Sequence, residues 1–149
     1  MYKLDDTSIP NVNHNTDFGV VMDNQLTFKL HINGITVRAK QHTALILRCF
    51  YTRDPTLLIK ACTVYVRSLL EYCCYVWSPH LMCLINGIEG VQINFIKKLK
   101  GIGNLSYDES LKILNIDRLE IRRIKFDLVL YYKIINNLVD MDTYDFFKV

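Results

Sequence analysis

The apolar residues of this chain follow two patterns that meet near His31. Before that point they come in short runs broken by turn residues. Tyr2 to Leu4 reads as a short strand, Asp5-Asp6-Thr7-Ser8 as a turn, and Ile9 to Val12 as a return. Phe18-Gly-Val-Val-Met22 reads as a further strand, closed by Asp23-Asn24, with Gly19 marking a bulge or a close backbone approach. Residues 1–30 are therefore expected to form a small N-terminal β-hairpin appendage.

From His31 onward the spacing turns helical. Ile32, Ile35, Ala39, Ala44, Leu47 and Phe50 outline a first helix. Asp54-Pro55 opens a second, with Asp as N-cap and Pro at the first helical position. Its stripe is Leu58, Cys62, Tyr65, Leu69 and Cys73, and Ser78-Pro79 ends it. A third runs from about Leu81 to Leu99 on Leu84, Ile88, Val91, Phe95 and Leu99, with Gly101 as its stop. Ser106-x-x-Glu109 is a capping box ahead of a fourth helix. Asp117-x-x-Glu120, with Ile116 and Ile121 as a hydrophobic staple, opens a fifth that continues through Ile124, Leu128, Tyr131 and Ile135. The expected fold is mainly α: a bundle of about five helices over residues 31–140, carrying the β appendage. Residues 141–149 read as a tail cut off mid-element.

Composition sharpens this picture. With 149 residues, 50% hydrophobic and 22% charged, the chain can bury a core and is not a disordered segment. A net charge of +3 is too small to argue for nucleic acid by itself. The polar start predicts no secretory leader. Val64 to Trp77 is interrupted by Arg67 and Glu71 and is too short to span a bilayer, so no membrane partner is expected. The reading is intracellular, nuclear or cytoplasmic. Cys49, Cys62, Cys73, Cys74 and Cys83 are odd in number and lack paired spacing, which fits reduced core cysteines. Only His80-x-x-Cys83 has ligand-like spacing, and no second pair completes a zinc site. No metal site is expected.

No nucleotide-binding glycine loop or nucleophile elbow is present. Tyr2 stands too far from Asp5-Asp6 for the aromatic-x-Asp-Asp turn of a polymerase, and those aspartates read as a turn. No catalytic residue is assigned. Cations are more informative. Arg38, Lys40, Arg48, Arg53, Lys60 and Arg67 dot the first two helices, Lys97, Lys98 and Lys100 end the third, and Arg118, Arg122, Arg123 and Lys125 open the fifth. Phosphate binding requires such cations to converge on one surface; otherwise they are solvated faces. Arg122-Arg123 before Phe126-Asp127, and Arg67 before Glu71, also allow internal ion pairs at helical spacing.

The order of several motifs resembles one known family. Asp17-Phe-Gly-Val-Val-Met-Asp23, then Leu26-Thr-Phe28 and His31-Ile32, is similar to the Asp-Leu-Gly-Val segment of non-LTR retrotransposon reverse transcriptases of the jockey and CR1 type. Val66-Arg-Ser-Leu-Leu-Glu-Tyr-Cys73 and Val76-Trp-Ser-Pro-His80 resemble their Val-Arg-Pro-x-Leu-Glu-Tyr and Val-Trp-Ser-Pro block. Ile88-Glu89-x-Val91-Gln92, Leu105-Ser-Tyr107-x-Glu109, Leu119-Glu-x-Arg122-Arg123 and Asp127-Leu128 through Tyr132-Lys-Ile134 follow in the same order. Ser68 departs from the family's proline, and Ser110 from its arginine.

The resemblance implies an RNA-directed DNA polymerase whose catalytic aspartates and divalent metal, Mg in kind, belong to a palm upstream of these residues. What matches is the end of the palm with its primer grip, followed by the helical thumb. Phe18, Gly19 and Val20 would then lie near the primer terminus. The helices would clasp a template–primer duplex, RNA–DNA or DNA, through candidates Arg38, Lys40, Lys97, Lys98, Lys100, Arg122 and Arg123. The other implied partners are the palm and fingers of the parent enzyme. The chain alone would bind no cofactor and would not polymerise. The alternative is a helical protein–protein interaction module with no nucleic-acid role; a small enzyme using Cys73, Cys74 or His80 is a weaker third.

Overall fold

The computed structural model describes residues 12–141, together with two short strands at 3–4 and 7–8. Strand β1, Lys3–Leu4, pairs antiparallel with β2, Thr7–Ser8. Thr7 and Ser8 therefore belong to the return strand rather than the turn. Tyr2, Asp5, Asp6 and residues 9–11 lie outside the described residues.

A second hairpin joins β3, His14–Asp17, to β4, Val20–Asp23, with Asp17 opposite Val20. Phe18 and Gly19 form the two-residue turn between them, at φ 45° and 79°. Two consecutive positive φ values suit the right-handed twist of a tight hairpin, and glycine meets that demand without strain. The expected strand across Phe18 and Gly19 is thus corrected: the pair is a turn, and β3 is a wholly polar, exposed strand that no hydrophobic alternation announces.

Asp23 ties this hairpin to the first helix. Its carboxylate accepts from the backbone N–H groups of Gln25 (3.0 Å), Thr27 (3.1 Å) and Phe28 (3.0 Å), and from the Thr27 hydroxyl (2.8 Å). These bonds, led by that of the Thr27 backbone, hold its pKa below the ordinary carboxylate value. Helix α1, Lys29–Cys49, follows and buries His31, Ile32, Ile35, Ala39 and Ile46.

His31 shows how hairpin and bundle meet. The Val21 N–H donates to its Nδ1 at 3.3 Å, and its ring lies 5.4 Å from that of Trp77. Burial, and then the charge of Arg38, push its pKa below 6.5. Protonation would destroy the acceptor at Nδ1 and charge a buried ring. The neutral form is therefore the stabilising one: its contribution is whole above the unfolded value near 6.5 and is lost as pH falls below it. The urea midpoint is expected to hold steady from pH 8 to 7 and to fall towards pH 5, and His31→Gln should flatten that decline. An equal decline in the variant would assign the pH dependence elsewhere. Asp23 acts in the same direction only in more acid solution, below 3.8.

The second helical segment starts as its sequence dictates, with the Asp54 carboxylate accepting from Thr56 N–H (3.2 Å) and Leu57 N–H (3.3 Å). Helix α2, Pro55–Cys62, passes through a π-helical turn, Thr63–Arg67, into α3, Ser68–Glu71. A π turn holds one more residue than an α turn. The buried stripe accordingly shifts by one. Beyond Leu58 and Ala61 it is Val66, Leu70 and Cys74 that face the core, whereas Tyr65 is exposed and Leu69 and Cys73 are only partly buried. The π turn lies just before Ser68, whose hydroxyl bonds the Val64 carbonyl.

The helix ends at Tyr72 rather than at Ser78, because Cys73 takes a left-handed conformation at φ 51°. A single turn, α4, Cys74–Trp77, then seats the Trp77 indole in the core, its Nε1 donating to the Tyr72 carbonyl at 2.8 Å. Helix α5, Met82–Ile96, packs along α1 through Ile88, Val91 and Phe95. It stops short of the expected Leu99, so Lys97, Lys98 and Lys100 lie in the turn after it. Gly103 passes so close to the Lys97 carbonyl that any side chain would collide. Helices α6, Tyr107–Leu114, and α7, Leu119–Ile135, complete a mainly α bundle carrying β-hairpins at its N-terminal end.

Candidate nucleic-acid interface

The residues that make up the sequence motifs pair with one another across the fold. Glu71 accepts two bonds from Arg122, one of them from Nη2 at 3.0 Å, which staples α3 to α7. The Tyr72 hydroxyl donates to the Phe18 carbonyl at 3.1 Å and holds the hairpin tip against the helices. Glu89, 7% exposed, accepts from the Leu119 and Glu120 N–H groups at 3.2 Å each and from the Tyr107 hydroxyl. Gln92 Nε2 donates to the same hydroxyl (2.9 Å) and to the Asp117 carbonyl (3.1 Å). Burial first, then the bond to Glu89, raise the Tyr107 pKa far above that of a free phenol.

This knot corrects one helix start. The Ser106–Glu109 capping box is present as expected. At α7, however, the cap residue is Arg118, with no side-chain cap of its own. Asp117 instead pairs with Lys125 at 2.6 Å. The orphan N–H groups at the start of α7 turn to Glu89, thirty residues back in sequence, where a buried carboxylate also complements the helix dipole.

The candidate contact residues fall into separate environments. Phe18 is 83% exposed at the hairpin tip, Gly19 lies beneath the Tyr72 ring and Val20 is buried in the core. Arg122 is engaged by Glu71. Arg123 is 3% exposed, with Nη1 and Nη2 buried and unpartnered, and burial lowers its pKa. Arg123 thus belongs to the interior of the bundle, while Arg122 is partly exposed with its guanidinium committed to Glu71. Neither of the helically spaced ion pairs forms: Arg122 reaches Glu71, and among the described residues Arg67–Glu71 and Arg123–Asp127 are not salt bridges.

The other candidates are exposed, and one of them, Lys98, meets two further cations that were not among the candidates. Arg48, Arg53 and Lys98 line a cleft of about 430 Å³ between the end of α1 and the turn after α5, together with Ala44 and Leu47. Arg53 is fixed there by a 2.8 Å bond to the Leu47 carbonyl. Among the described residues no carboxylate lines this cleft. Lys40, at i−4 and i−7 from Ala44 and Leu47, extends the same face of α1 by one turn. Lys97 and Lys100 flank Lys98 in its turn, while Arg38 lies two residues before Lys40 on another side of the helix. Sequence reasoning noted Arg48 and Arg53 but not their convergence with Lys98, because the chain separates them by about fifty positions.

Helix α7 also departs from expectation. Ile124, Leu128, Tyr131 and Ile135, its most regular apolar stripe, are about half exposed, and the helix packs inward on Leu119, Arg123, Phe126 and Ile134. Among the described residues no three His, Cys, Asp or Glu side chains gather to hold a metal ion. No described helix is long and apolar enough to cross a membrane. Burial pushes the Cys62 thiol up to about 11 and raises that of Cys74, so neither is an activated nucleophile at neutral pH.

The chain is similar to an uncharacterized protein of Caenorhabditis elegans, at 30% identity over 124 residues. That match covers 80% of this chain and 62% of the nematode protein, so the chain spans less than two thirds of that relative's length. No family model matches the sequence. No solved structure matches it.

Proposed function

We propose that this chain is the duplex-holding part of an RNA-directed DNA polymerase of the non-LTR retrotransposon type, without polymerase activity by itself. The observation that carries the reading is the acid-free cleft of Arg48, Arg53 and Lys98, extended by Lys40 and the neighbouring Lys97 and Lys100. Guanidinium and ammonium groups gathered without counter-charge suit successive backbone phosphates and read no sequence. The resemblance supplies the kind of nucleic acid, a template–primer duplex.

The test is fluorescence anisotropy with a labelled RNA–DNA duplex across a salt series. Binding should weaken steeply with salt. Replacing both Arg48 and Lys98 with glutamate should flatten the log–log salt slope by about 2, since each phosphate contact contributes about 0.9. Absence of binding at low salt, or an unchanged slope in the double variant, would sink the proposal. The half-exposed apolar stripe of α7 favours the second reading, a helical protein–protein interaction module, and a chain that ignores the duplex would leave that reading standing.

A further inference from the structure

A second cleft, sharing no residue with the first, lies where the π turn faces α6 and the start of α7. Its volume is about 640 Å³, within the usual range for small-molecule sites. Arg67, Lys112, Arg118 and Arg122 supply positive charge, Asp108 and Asp117 negative charge, and Leu111, Ile116 and Ile121 an apolar wall.

The ion pairs around this cleft leave an excess of positive charge. Arg118 bonds Asp108, with Nε at 3.2 Å. Arg122 takes Glu71 through two nitrogens, and Lys125 takes Asp117. Each nearby carboxylate is thereby engaged by another cation. The side chain of Arg67, half-buried at the end of the π turn, makes no hydrogen bond or ion pair among the described residues, and neither does that of Lys112. Burial, and then repulsion from Arg122, push the Arg67 pKa down, while Glu71 and Asp117 favour its charge without bonding it. A desolvated guanidinium fork without a partner is well suited to a doubly charged oxyanion, which it binds bidentately.

We propose that this cleft binds a small phosphate monoester carrying a flat ring, of the nucleoside monophosphate class, with the phosphate on Arg67 and Lys112 and the ring against Leu111, Ile116 and Ile121. The apolar wall stands beside the cations, so one ligand can span both. The assignment does not depend on duplex binding.

The experiment is an amide chemical-shift titration of the full chain with AMP, adenosine and inorganic phosphate in turn. AMP should shift resonances at Arg67 and from Asn115 to Arg122, and adenosine should bind at least about tenfold more weakly, the equivalent of about one charged hydrogen bond. Arg67→Met should weaken AMP by about the same factor, with partial rescue in Arg67→Lys. Lys112→Ala, at an exposed position, tests the anion site without risk to folding and should weaken AMP a few-fold. Equal affinity for adenosine and AMP, or undiminished AMP binding in both Arg67→Met and Lys112→Ala, would overturn the site. Equal affinity for inorganic phosphate and AMP would overturn the ring contact. Unshifted resonances with all three ligands would overturn the proposal entirely.

Discussion

Glu89→Ala is expected to destabilise the protein by roughly 3 kcal/mol or more, the scale seen when one member of a buried charged network is removed. The carboxylate sits at the crossing of three elements. It caps the first two N–H groups of α7 and receives the Tyr107 hydroxyl from α6. Truncation would leave all three donors without their acceptor in an interior from which water is largely excluded. It would also remove the foremost of the negative charges acting on the buried Arg123 guanidinium. Glu89→Gln should fall between wild type and alanine, because an amide oxygen can still accept but the charge that complements α7 and Arg123 is gone. Urea denaturation followed by circular dichroism measures the loss. Hydrogen exchange should show the amides of Leu119 and Glu120 opening first. A variant within about 1 kcal/mol of wild type would mean the carboxylate is dispensable, at variance with the ordinary cost of orphaned buried donors.

The second large effect is expected at Trp77. Its side chain is 1% exposed, its ring meets that of His31, and its Nε1 holds the Tyr72 carbonyl. Tyr72 in turn holds the hairpin tip through Phe18. Trp77→Ala should cost about 4 kcal/mol through lost burial and the cavity left behind. Trp77→Phe should cost less, since it keeps an aromatic surface and loses the indole bond. The protein has one tryptophan, so its emission reports unfolding of the wild type, and the variants must be followed by circular dichroism. If Trp77→Ala unfolds at the wild-type midpoint, the indole is not a keystone between hairpin and helices.

Much of this fold is legible in the sequence. Asp54-Pro55 and the Ser106–Glu109 box state their helix starts through bonds that span only a few residues. The stripes of α1 and α5 are likewise local and periodic, and Ile32, Ile35, Ile88, Val91 and Phe95 are buried as their spacing predicts. What misled had its cause elsewhere in the chain. Asp117 has the residue type and position of a cap, yet a buried carboxylate from α5 takes that role. Ile124, Leu128 and Ile135 have core spacing, yet α7 turns them outward and buries Arg123. The candidate contacts divided in the same way. Arg122 and Arg123 look like neighbours of Lys125 on a basic surface, and only tertiary structure shows Glu71 and the interior claiming them. The cleft of Arg48, Arg53 and Lys98 was hidden because it forms between elements distant in sequence.

The π turn between α2 and α3 makes length, as well as residue type, a constraint on this segment. Upstream of Thr63 the core reads one phase of the helix, and downstream of Arg67 it reads the next. Each residue advances an α-helix by about 100°, so a further residue inserted inside the turn would swing Leu70 and Cys74 off the core, whereas deleting one would let the π turn close to an α turn with the same side chains facing inward. Exchanging one aliphatic side chain for another leaves that phase intact. Sequences that keep this architecture can therefore exchange aliphatic side chains here, and can lose the extra residue of the turn, but cannot gain another without losing the phase of the core.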